Sequence, residues 1–482
     1  MPFFYRFRSL DALLGEHQEL EKQEIYFSPP EQLNDPMEGY KDLVWQGDEI
    51  VWRNLIKHYL LCLTQTVLTA MISGEEYQPV ISKNFIFTTQ HSLPTQSLKA
   101  IYQRICEIFF SSYNLNELPE LLANCKHPFR RDEIEFCLRG LHPVAFNNVM
   151  KIFREESLIP PAGESPPPPE LTEENVVNSL FKVLNTIKDK DRRIDPEALR
   201  HLFIAAGHIH KQCVLTRYLG ETNQLAKAWH SIFYSFPEQY VDNLSNLVYF
   251  DWYTACFVAD PTHAAMWGNY GVSHKGVCLK FRAEETDGNL SVLKVRGIVG
   301  WHGGPNGGGP NYGEIPLPFE KVTYSGKMAE IDFFRSIGRL PIPALKSGWY
   351  TDDTGQVSEC AEAVLSQTQD WHQSYWASFR AITLTKLQDW QFENEYRLRL
   401  TSALDSFREA NDRKLTYRFS DLEGIIFGIR TPLEDKVRIF NIIATKCKEH
   451  GRESFEFSQA AYSGHSGKIE IRRLDLLRFN GL

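Results

Sequence analysis

The period of the apolar residues changes twice along this chain. Residues 3–8 alternate with a period of two, which predicts a strand. From about residue 50 the apolar spacing becomes helical, and after residue 245 short strand patterns return. The sequence therefore predicts an α+β fold with a large helical insertion. The predicted core domain consists of residues 1–48 and 245–482, and the insertion covers 49–244.

Composition excludes several classes of protein. The 482 residues are 43% hydrophobic and 23% charged, as in soluble globular proteins. The net charge of −9 argues against a large duplex-DNA surface, which needs clustered Lys and Arg. The nine cysteines form no CxxC pair, so reduced cytoplasmic thiols are predicted rather than a zinc ribbon or a disulfide framework. No signal peptide is predicted, and the apolar stretch 59–72 is too short to span a bilayer.

Proline and glycine mark two irregular segments. Residues 159–169 are dominated by proline and predict an extended, exposed linker within the insertion. The alternative is a PxxP ligand, through which the insertion would bind a partner protein. Residues 300–313 hold so many Gly and Pro residues that a flexible loop is predicted.

Shorter patterns predict individual elements. Ser9 is placed to cap a helix over 10–20. Later strands are predicted at 277–281 and 424–428, and helices at 327–339 and 433–449.

Two glutamates and two arginines share one face of a predicted strand over 392–400. The charged face carries Glu393, Glu395, Arg397 and Arg399. One interpretation is a solvated face that neutralises itself. The other is an active-site strand, in which one glutamate stabilises a cationic centre, the second orients a nucleophile and the arginines hold phosphate.

The segment 34–38 also permits two interpretations. Asn34-Asp35-Pro36 is good turn chemistry, and Glu38 would then only cap the next segment. Alternatively, Asp35 and Glu38 lie at the rim of a cleft and contact substrate. With the glutamates at 393 and 395 they would also suit Mg²⁺, as in a nuclease or phosphodiesterase.

The stretch 267–281 contains an aromatic and glycine-rich turn before an apolar run. Tyr270 and Lys275 are candidates for a pocket wall, where an aromatic ring stacks on a base and the ammonium meets phosphate. Trp267 is either part of that wall or an anchor of the core. His208, His210, His263 and Cys256 have no four-ligand spacing, so no metal site is predicted.

Five blocks together resemble a bacterial family catalogued as a domain of unknown function, number 2971. They are Phe-Tyr-Arg-Phe-Arg at 4–8, Ile-Tyr-Phe-Ser-Pro at 25–29, Leu-Asn-Asp-Pro-Met-Glu at 33–38, the stretch at 267–281 and Trp-Gln-Phe-Glu-Asn-Glu-Tyr-Arg at 390–397.

The order of these blocks more distantly resembles the mono-ADP-ribosyltransferases. Those enzymes place an Arg or His on the first strand, then a strand with Ser or Tyr, and a Glu or Glu-x-Glu on a late strand. The matching residues here are Arg6 or Arg8, Tyr26 with Ser28, and Glu393 with Glu395. The first-strand residue is not the His of the His-Tyr-Glu subgroup, and the Ser-Thr-Ser motif is absent.

This resemblance implies a split-sheet core, NAD as a substrate and no metal. Glu395 and Glu393 would be catalytic, because a carboxylate near the ribose stabilises the oxocarbenium-like state formed as nicotinamide leaves. NAD would be held by Arg6, Arg8, Tyr26, Ser28, Trp267, Tyr270 and Lys275, and the macromolecular substrate by Asp35, Glu38 and Arg397.

Three functions follow as hypotheses. The first is a cytoplasmic, NAD-dependent ADP-ribosyltransferase-like enzyme that modifies nucleic acid or protein, as a bacterial toxin or antiphage effector. The second is a metal-dependent nuclease or phosphodiesterase, and the third is a non-catalytic interaction module. The most useful observation for choosing among them is whether Arg6, Tyr26, Trp267 and Glu395 converge in one cleft.

Overall fold

The computed structural model describes most of the chain. The described residues are 2–74, 83–125, 127–159, 173–188, 195–220, 227, 229–286, 288, 290–304, 307–366, 368–401 and 406–477. Of the predicted proline-rich linker, residues 160–169 lie outside them. The fold mixes helices and strands, as the α+β prediction requires.

The chain forms two compact units. The core unit consists of Met1–Tyr40, Phe250–Met328 and Arg380–Leu482, and the helical unit consists of Lys41–Tyr249 and Ala329–Phe379. The helical unit therefore extends beyond the predicted insertion at 49–244. The reason is a non-local pairing, because the strand Glu330–Asp332 pairs in parallel with Asp42–Trp45.

Eight strands form the main sheet of the core unit. Their order is Glu320–Lys321, Glu395–Thr401, Trp252–Val258, Phe3–Arg8, Val277–Arg282, Leu422–Phe427, Glu456–Ser463 and Lys468–Arg473. Neighbours are antiparallel except Leu422–Phe427 and Glu456–Ser463, which the helix Leu433–Glu449 connects. Below, Phe3–Arg8 is called the first strand, Trp252–Val258 the central strand and Glu395–Thr401 the glutamate strand.

A five-stranded antiparallel sheet, called the second sheet, belongs to the same unit. Its strands are Glu24–Tyr26, Lys414–Tyr417, Ser291–His302, Glu284–Glu285 and Gly309–Pro318. One face of each sheet contributes to a shared apolar core, with Phe257 and Phe281 from the main sheet and Leu293 and Val295 from the second. A short parallel pair, Thr323–Ser325 with Thr385–Leu387, completes the strands of this unit.

Short helices connect the strands of the core unit. The predicted helix over 10–20 is broken into Leu10–Leu14 and Glu19–Lys22, because Gln18 adopts a left-handed conformation. Ser9 caps the first piece as predicted, accepting from the backbone N–H of Ala12 at 3.2 Å. The remaining helices are Pro30–Gln32, Ala264–Asn269, Gln388–Glu393, Ala410–Arg413, Phe419–Asp421 and Leu433–Glu449.

The helical unit contains a three-stranded sheet and many helices. The strands are Glu330–Asp332, Asp42–Trp45 and Phe129–Arg130. The main helices are Glu49–Ser73, Gln96–Ser111, Leu118–Ala123, Arg131–Glu155, Glu173–Lys188, Pro196–Tyr218 and Phe236–Leu244. Shorter helices are Lys83–Ile86, Gln90–Ser92, Leu115–Glu117, Ser231–Ser235, Ser245–Leu247, Ile342–Leu345, Lys346–Tyr350 and Ala361–Leu365. The boundary between the two units falls within a further helix, Gln369–Leu384.

One helix is longer than the sequence suggested. Among the described residues, only Glu49–Ser73 is long and apolar enough to cross a membrane by length and composition. Two thirds of its most apolar window (67%) is buried, as in the core helix of a globular unit.

Gly276 makes a close contact that predicts a large effect for a small substitution. It follows three left-handed residues, Val272, Ser273 and His274, and a Cβ on it would lie 2.4 Å from the carbonyl oxygen of Arg8. We expect Gly276→Ala to destabilise the core unit by about 1–3 kcal/mol, because the backbone must move. The matched control is Gly268→Ala, whose Cβ meets nothing within 4 Å. Urea unfolding measures both, and an unchanged midpoint for Gly276→Ala would contradict the prediction.

Candidate functional site

The main sheet opens next to its central strand. The first and central strands pair at a single position, Tyr5 with Val258. Beyond it, Ser28 takes the place of the first strand and pairs with Thr254, with both backbone hydrogen bonds at 2.8 Å. A cavity of about 200 Å³ lies where the two strands part.

Residues from distant parts of the sequence line this cavity. Of the predicted site residues, the lining contains Arg6, Arg8, Ser28, Glu38, Tyr270, Glu393 and Glu395. These seven predicted residues therefore meet at one cavity, although they lie far apart in the sequence.

Five predicted site residues do not line the cavity. Tyr26 belongs to the second sheet, and its hydroxyl donates to Gln32 at 3.0 Å. Trp267 is fully buried in the core, where its indole N–H donates to the Pro261 carbonyl at 2.7 Å and leaves no free face for a ligand. Lys275 is exposed on the turn after Tyr270.

The other two predicted site residues that do not line the cavity, Asp35 and Arg397, are held by structural partners. Asp35 is buried and accepts from the backbone N–H of Met37 at 2.9 Å, which is the turn chemistry of the first interpretation. Arg397 has no exposed surface and pairs with glutamates, so it does not reach a substrate.

Arg6 and Glu395 reach the cavity from different faces of the sheet. Tyr5 lies opposite Val258, and Val258 lies opposite Glu395, so these three residues share a face. Arg6, the next residue after Tyr5, points to the other face. Both residues are nevertheless among those that line the cavity.

A buried charge cluster forms the acidic wall. It comprises Glu38, Lys386, Glu393, Glu395 and Arg397, each at most 8% exposed. The Lys386 ammonium lies 2.6 Å from Glu393, 3.2 Å from Glu395 and 3.9 Å from Glu38. Three carboxylates thus share one ammonium group.

Arg397 supplies the second cation of the cluster. Its Nε donates to Glu395 at 2.8 Å, and its Nη1 donates to Glu38 and to the Thr383 carbonyl, each at 2.7 Å. Three acids and two bases leave the cluster with one net negative charge when all are ionised. Because the five side chains are buried, their electrostatic interactions are stronger than they would be in water.

The two catalytic candidates differ in protonation. Burial acts to raise the pKa of Glu395, but the nearby charges of Arg397 and Lys386 outweigh it and lower this pKa to about 2. Burial raises the pKa of Glu393, and the charge of Lys386 only partly offsets it. Glu395 therefore stays ionised, whereas Glu393 is the more readily protonated acid.

Tyr270 and Tyr324 complete the surroundings of the glutamates. The Tyr270 hydroxyl donates to Glu393, and both burial and this carboxylate raise the pKa of Tyr270. The backbone N–H of Glu395 donates to the Tyr324 hydroxyl at 2.8 Å. These contacts hold the start of the glutamate strand in place.

Arg6 is a buried cation that has no acidic partner among the described residues. It is 6% exposed, its Nη2 donates to the Tyr26 carbonyl at 2.8 Å, and its Nη1 has no hydrogen-bond partner. Burial and the neighbouring Arg8 lower the pKa of Arg6 to about 10. Arg8 instead pairs with Glu19, with Nε at 2.7 Å. An anion entering the cavity would supply the acceptor that Arg6 lacks.

Lys386 was missed by sequence reasoning. Its signal was a lone charged residue in the stretch Ile-Thr-Leu-Thr-Lys-Leu at 382–387, shortly before two glutamates. A buried lysine usually requires a carboxylate partner, so this pattern indicates an ion pair.

Comparisons with known proteins do not place the chain in a family: no family model, no curated protein and no solved structure matches it. The resemblances to family 2971 and to ADP-ribosyltransferases therefore stay predictions. Within the described part of the chain, no group of three or more His, Cys, Asp or Glu side chains is placed to hold a metal ion.

Proposed function

We propose that the core unit is an ADP-ribosyltransferase-like enzyme that transfers ADP-ribose from NAD to a macromolecule. The observation that carries the proposal is the cavity in the split of the main sheet. It brings an acidic pair on one wall, Glu393 and Glu395, together with a buried arginine that has no carboxylate partner. A substrate that is cationic at one centre and anionic at another fits this arrangement.

Each residue then has a role in glycosidic cleavage. The bond between nicotinamide and ribose breaks, and the nicotinamide nitrogen keeps the electron pair. The ionised Glu395 stabilises the positive charge that develops on the ribose. The acceptor nucleophile bonds to the ribose carbon, and Glu393 takes its proton. Arg6 pairs with the pyrophosphate of NAD.

Lys386 and Tyr270 are positioning residues in this scheme. Both donate to Glu393, and Lys386 also lies within hydrogen-bond distance of Glu395. They hold the two carboxylates in position, and their hydrogen bonds to Glu393 lower its pKa against the effect of burial, which favours the ionised form that can take a proton.

The geometry does not favour the nuclease alternative. Its acids do converge, since Glu38 and Glu395 share Arg397. However, the ammonium of Lys386 occupies the position between carboxylates where a bridging divalent cation would bind. The family resemblance adds a biological setting to our proposal, in which the protein is a cytoplasmic bacterial toxin or antiphage effector. The proposal also includes a partner protein that binds the helical unit.

Release of nicotinamide from NAD by the purified protein tests the proposal. We expect turnover that is insensitive to EDTA. Arg6→Gln should raise KM by about tenfold with a smaller change in kcat, because Arg6 contacts the non-reacting pyrophosphate. The control is Arg282→Gln, which alters a more exposed arginine outside the cavity lining. Absence of turnover in the wild type, or turnover that EDTA abolishes, would contradict the proposal.

A further inference from the structure

The helix Pro196–Tyr218 of the helical unit has apolar residues on two sides. On its inner side, Phe203 is 2% exposed, and its ring centroid lies 5.1 Å from that of Phe136. On its outer side, Leu202 and Ile209 are 57% and 61% exposed. A helix that is apolar on both sides is normally buried on both. An exposed apolar side of this length indicates a surface that another molecule covers.

The exposed residues of the outer side recur with the spacing of a coiled coil. Starting at Ala198, the intervals are alternately four and three residues, as between the d and a positions of a heptad. Leu215, which is 60% exposed, lies beside this row at a g position. The six residues of the row, called the outer seam, are all exposed: Ala198, Leu202, Ala205, Ile209, Gln212 and Thr216.

The charged residues of this helix lie away from the outer seam. They occupy b, c or f positions, which face away from the partner in a coiled coil: Glu197, Arg200, Lys211 and Arg217. Lys211 pairs with Glu238 at 2.7 Å, and the Arg217 guanidinium lies over a tyrosine ring, 4.8 Å from its centroid. Glu197 and Arg200 line a cavity whose wall also includes the buried Phe203. The outer seam itself is uncharged, so it offers no ion pair to a charged partner, and two copies of it do not repel each other.

Two copies of the outer seam fit each other in one orientation. When the helices run antiparallel about a twofold axis at Gly207, Ala205 of one copy lies opposite Ile209 of the other, and Leu202 lies opposite Gln212. A branched side chain then meets a smaller or unbranched one in each of these layers. Parallel pairing would instead place Ala205 opposite Ala205 and leave a gap there. The seam is therefore complementary to itself in the antiparallel orientation.

We propose that the outer seam forms this antiparallel pair with a second copy of the chain. The inference identifies the partner of the helical unit as a further molecule of the same protein, and it does not depend on the NAD chemistry. A helix of 23 residues is about 35 Å long, and one pair of such helices buries less surface than most specific interfaces. The dimer should therefore be reversible and dissociate at micromolar concentrations.

Sedimentation equilibrium of the whole chain over the micromolar range tests the pairing, and we expect a monomer–dimer equilibrium in the wild type. Ile209→Glu should raise the Kd of the dimer by roughly a hundredfold or more, because each copy brings a like charge into the middle of an apolar contact. The matched control is Ile204→Glu. It adds the same charge at a 43% exposed isoleucine of the same helix, at a c position outside the seam, and should dimerise as the wild type does. Circular dichroism should show equal helix content in both variants, since both side chains are exposed.

Crosslinking tests the orientation of the pair. His208 is exposed at a g position, and antiparallel pairing places it beside His208 of the second copy, next to the axis. His208→Cys should therefore give a covalent dimer with a short bismaleimide. Arg200→Cys, at an exposed f position of the same helix, should not. Both variants are made in a Cys213→Ser background, because Cys213 is the exposed one among the nine cysteines.

Each result supports or overturns the inference. A wild type that is monomeric throughout the range would overturn it. A dimer that Ile209→Glu retains would also overturn it, because another surface would then hold the copies together, and so would equal weakening by Ile204→Glu. Equal crosslinking of His208→Cys and Arg200→Cys would overturn the antiparallel orientation. Nicotinamide release without acceptor should be unchanged in Ile209→Glu, so failure of the pairing is distinguishable from failure of the NAD chemistry.

Discussion

Replacing Lys386 with methionine is expected to destabilise the core unit by about 3–5 kcal/mol, the cost of leaving a buried charge without its partner. Lys386 is 3% exposed and lies within 4 Å of three carboxylates. Methionine fills similar space, so the lost charge and not a void dominates the effect. Burial alone would lower the pKa of Lys386. The charges of Glu395 and Glu393 raise this pKa instead, because the two carboxylates stabilise the charged form of the ammonium group.

Urea unfolding followed by circular dichroism measures this effect, and the transition of the core unit should shift. The control Lys468→Met removes an exposed lysine and should stay within about 0.5 kcal/mol of the wild type. Adding Glu393→Gln to Lys386→Met should recover part of the loss, because it removes one uncompensated negative charge. Equal stability of Lys386→Met and the wild type would show that the cluster is not a source of stability.

The sequence predicted local elements well where periodicity is strong. The helix Leu433–Glu449 has the predicted bounds, and the strand Val277–Arg282 differs by one residue from the predicted 277–281. The predicted helix over 327–339 does not form. Its residues Glu330–Asp332 instead pair with Asp42–Trp45, and a partner so distant in sequence cannot be recognised from apolar spacing.

Glycine and proline misled the prediction for 300–313. They indicated a flexible loop, but Ser291–His302 and Gly309–Pro318 are paired almost to the tip. Cross-strand hydrogen bonds compensate for the low strand propensity of these residues, and a bulge between Ile298 and Gly300 accommodates the mismatch.

For the candidate site, residue types were predictable but burial was not. Alternation placed Glu395 and Arg397 on one face, and the structure agrees, although the strand starts at Glu395 and Glu393 ends a preceding helix. The same pattern could not show that Lys386 folds over these glutamates. Alternation alone predicts that Glu395 is exposed or faces a cleft, and that replacing it changes stability by less than about 1 kcal/mol. Glu395 does line the cavity, but it is 3% exposed and paired with two cations, so its substitution is expected to cost more stability than that.

Glu395→Gln is accordingly expected to lower both activity and stability. If the carboxylate stabilises an oxocarbenium-like state, nicotinamide release should fall by a factor of tens to a thousand, about 2–4 kcal/mol of transition-state free energy. The substitution also leaves Arg397 and Lys386 facing a neutral amide, which should destabilise the core unit by a few kcal/mol. Rates must therefore be measured well below the unfolding temperature of the variant.

A matched control separates these two effects. Glu320 accepts from Arg399 Nε at 2.6 Å on the strand next to the glutamate strand, but it does not line the cavity. Glu320→Gln should therefore lose an ion pair and keep the rate of nicotinamide release. Glu393→Gln should impair transfer to an acceptor more than hydrolysis of NAD, because Glu393 takes the proton of the acceptor. If a folded Glu395→Gln protein kept its full turnover, Glu395 would contribute to stability and not to catalysis. Equal rate losses in Glu395→Gln and Glu320→Gln would lead to the same conclusion.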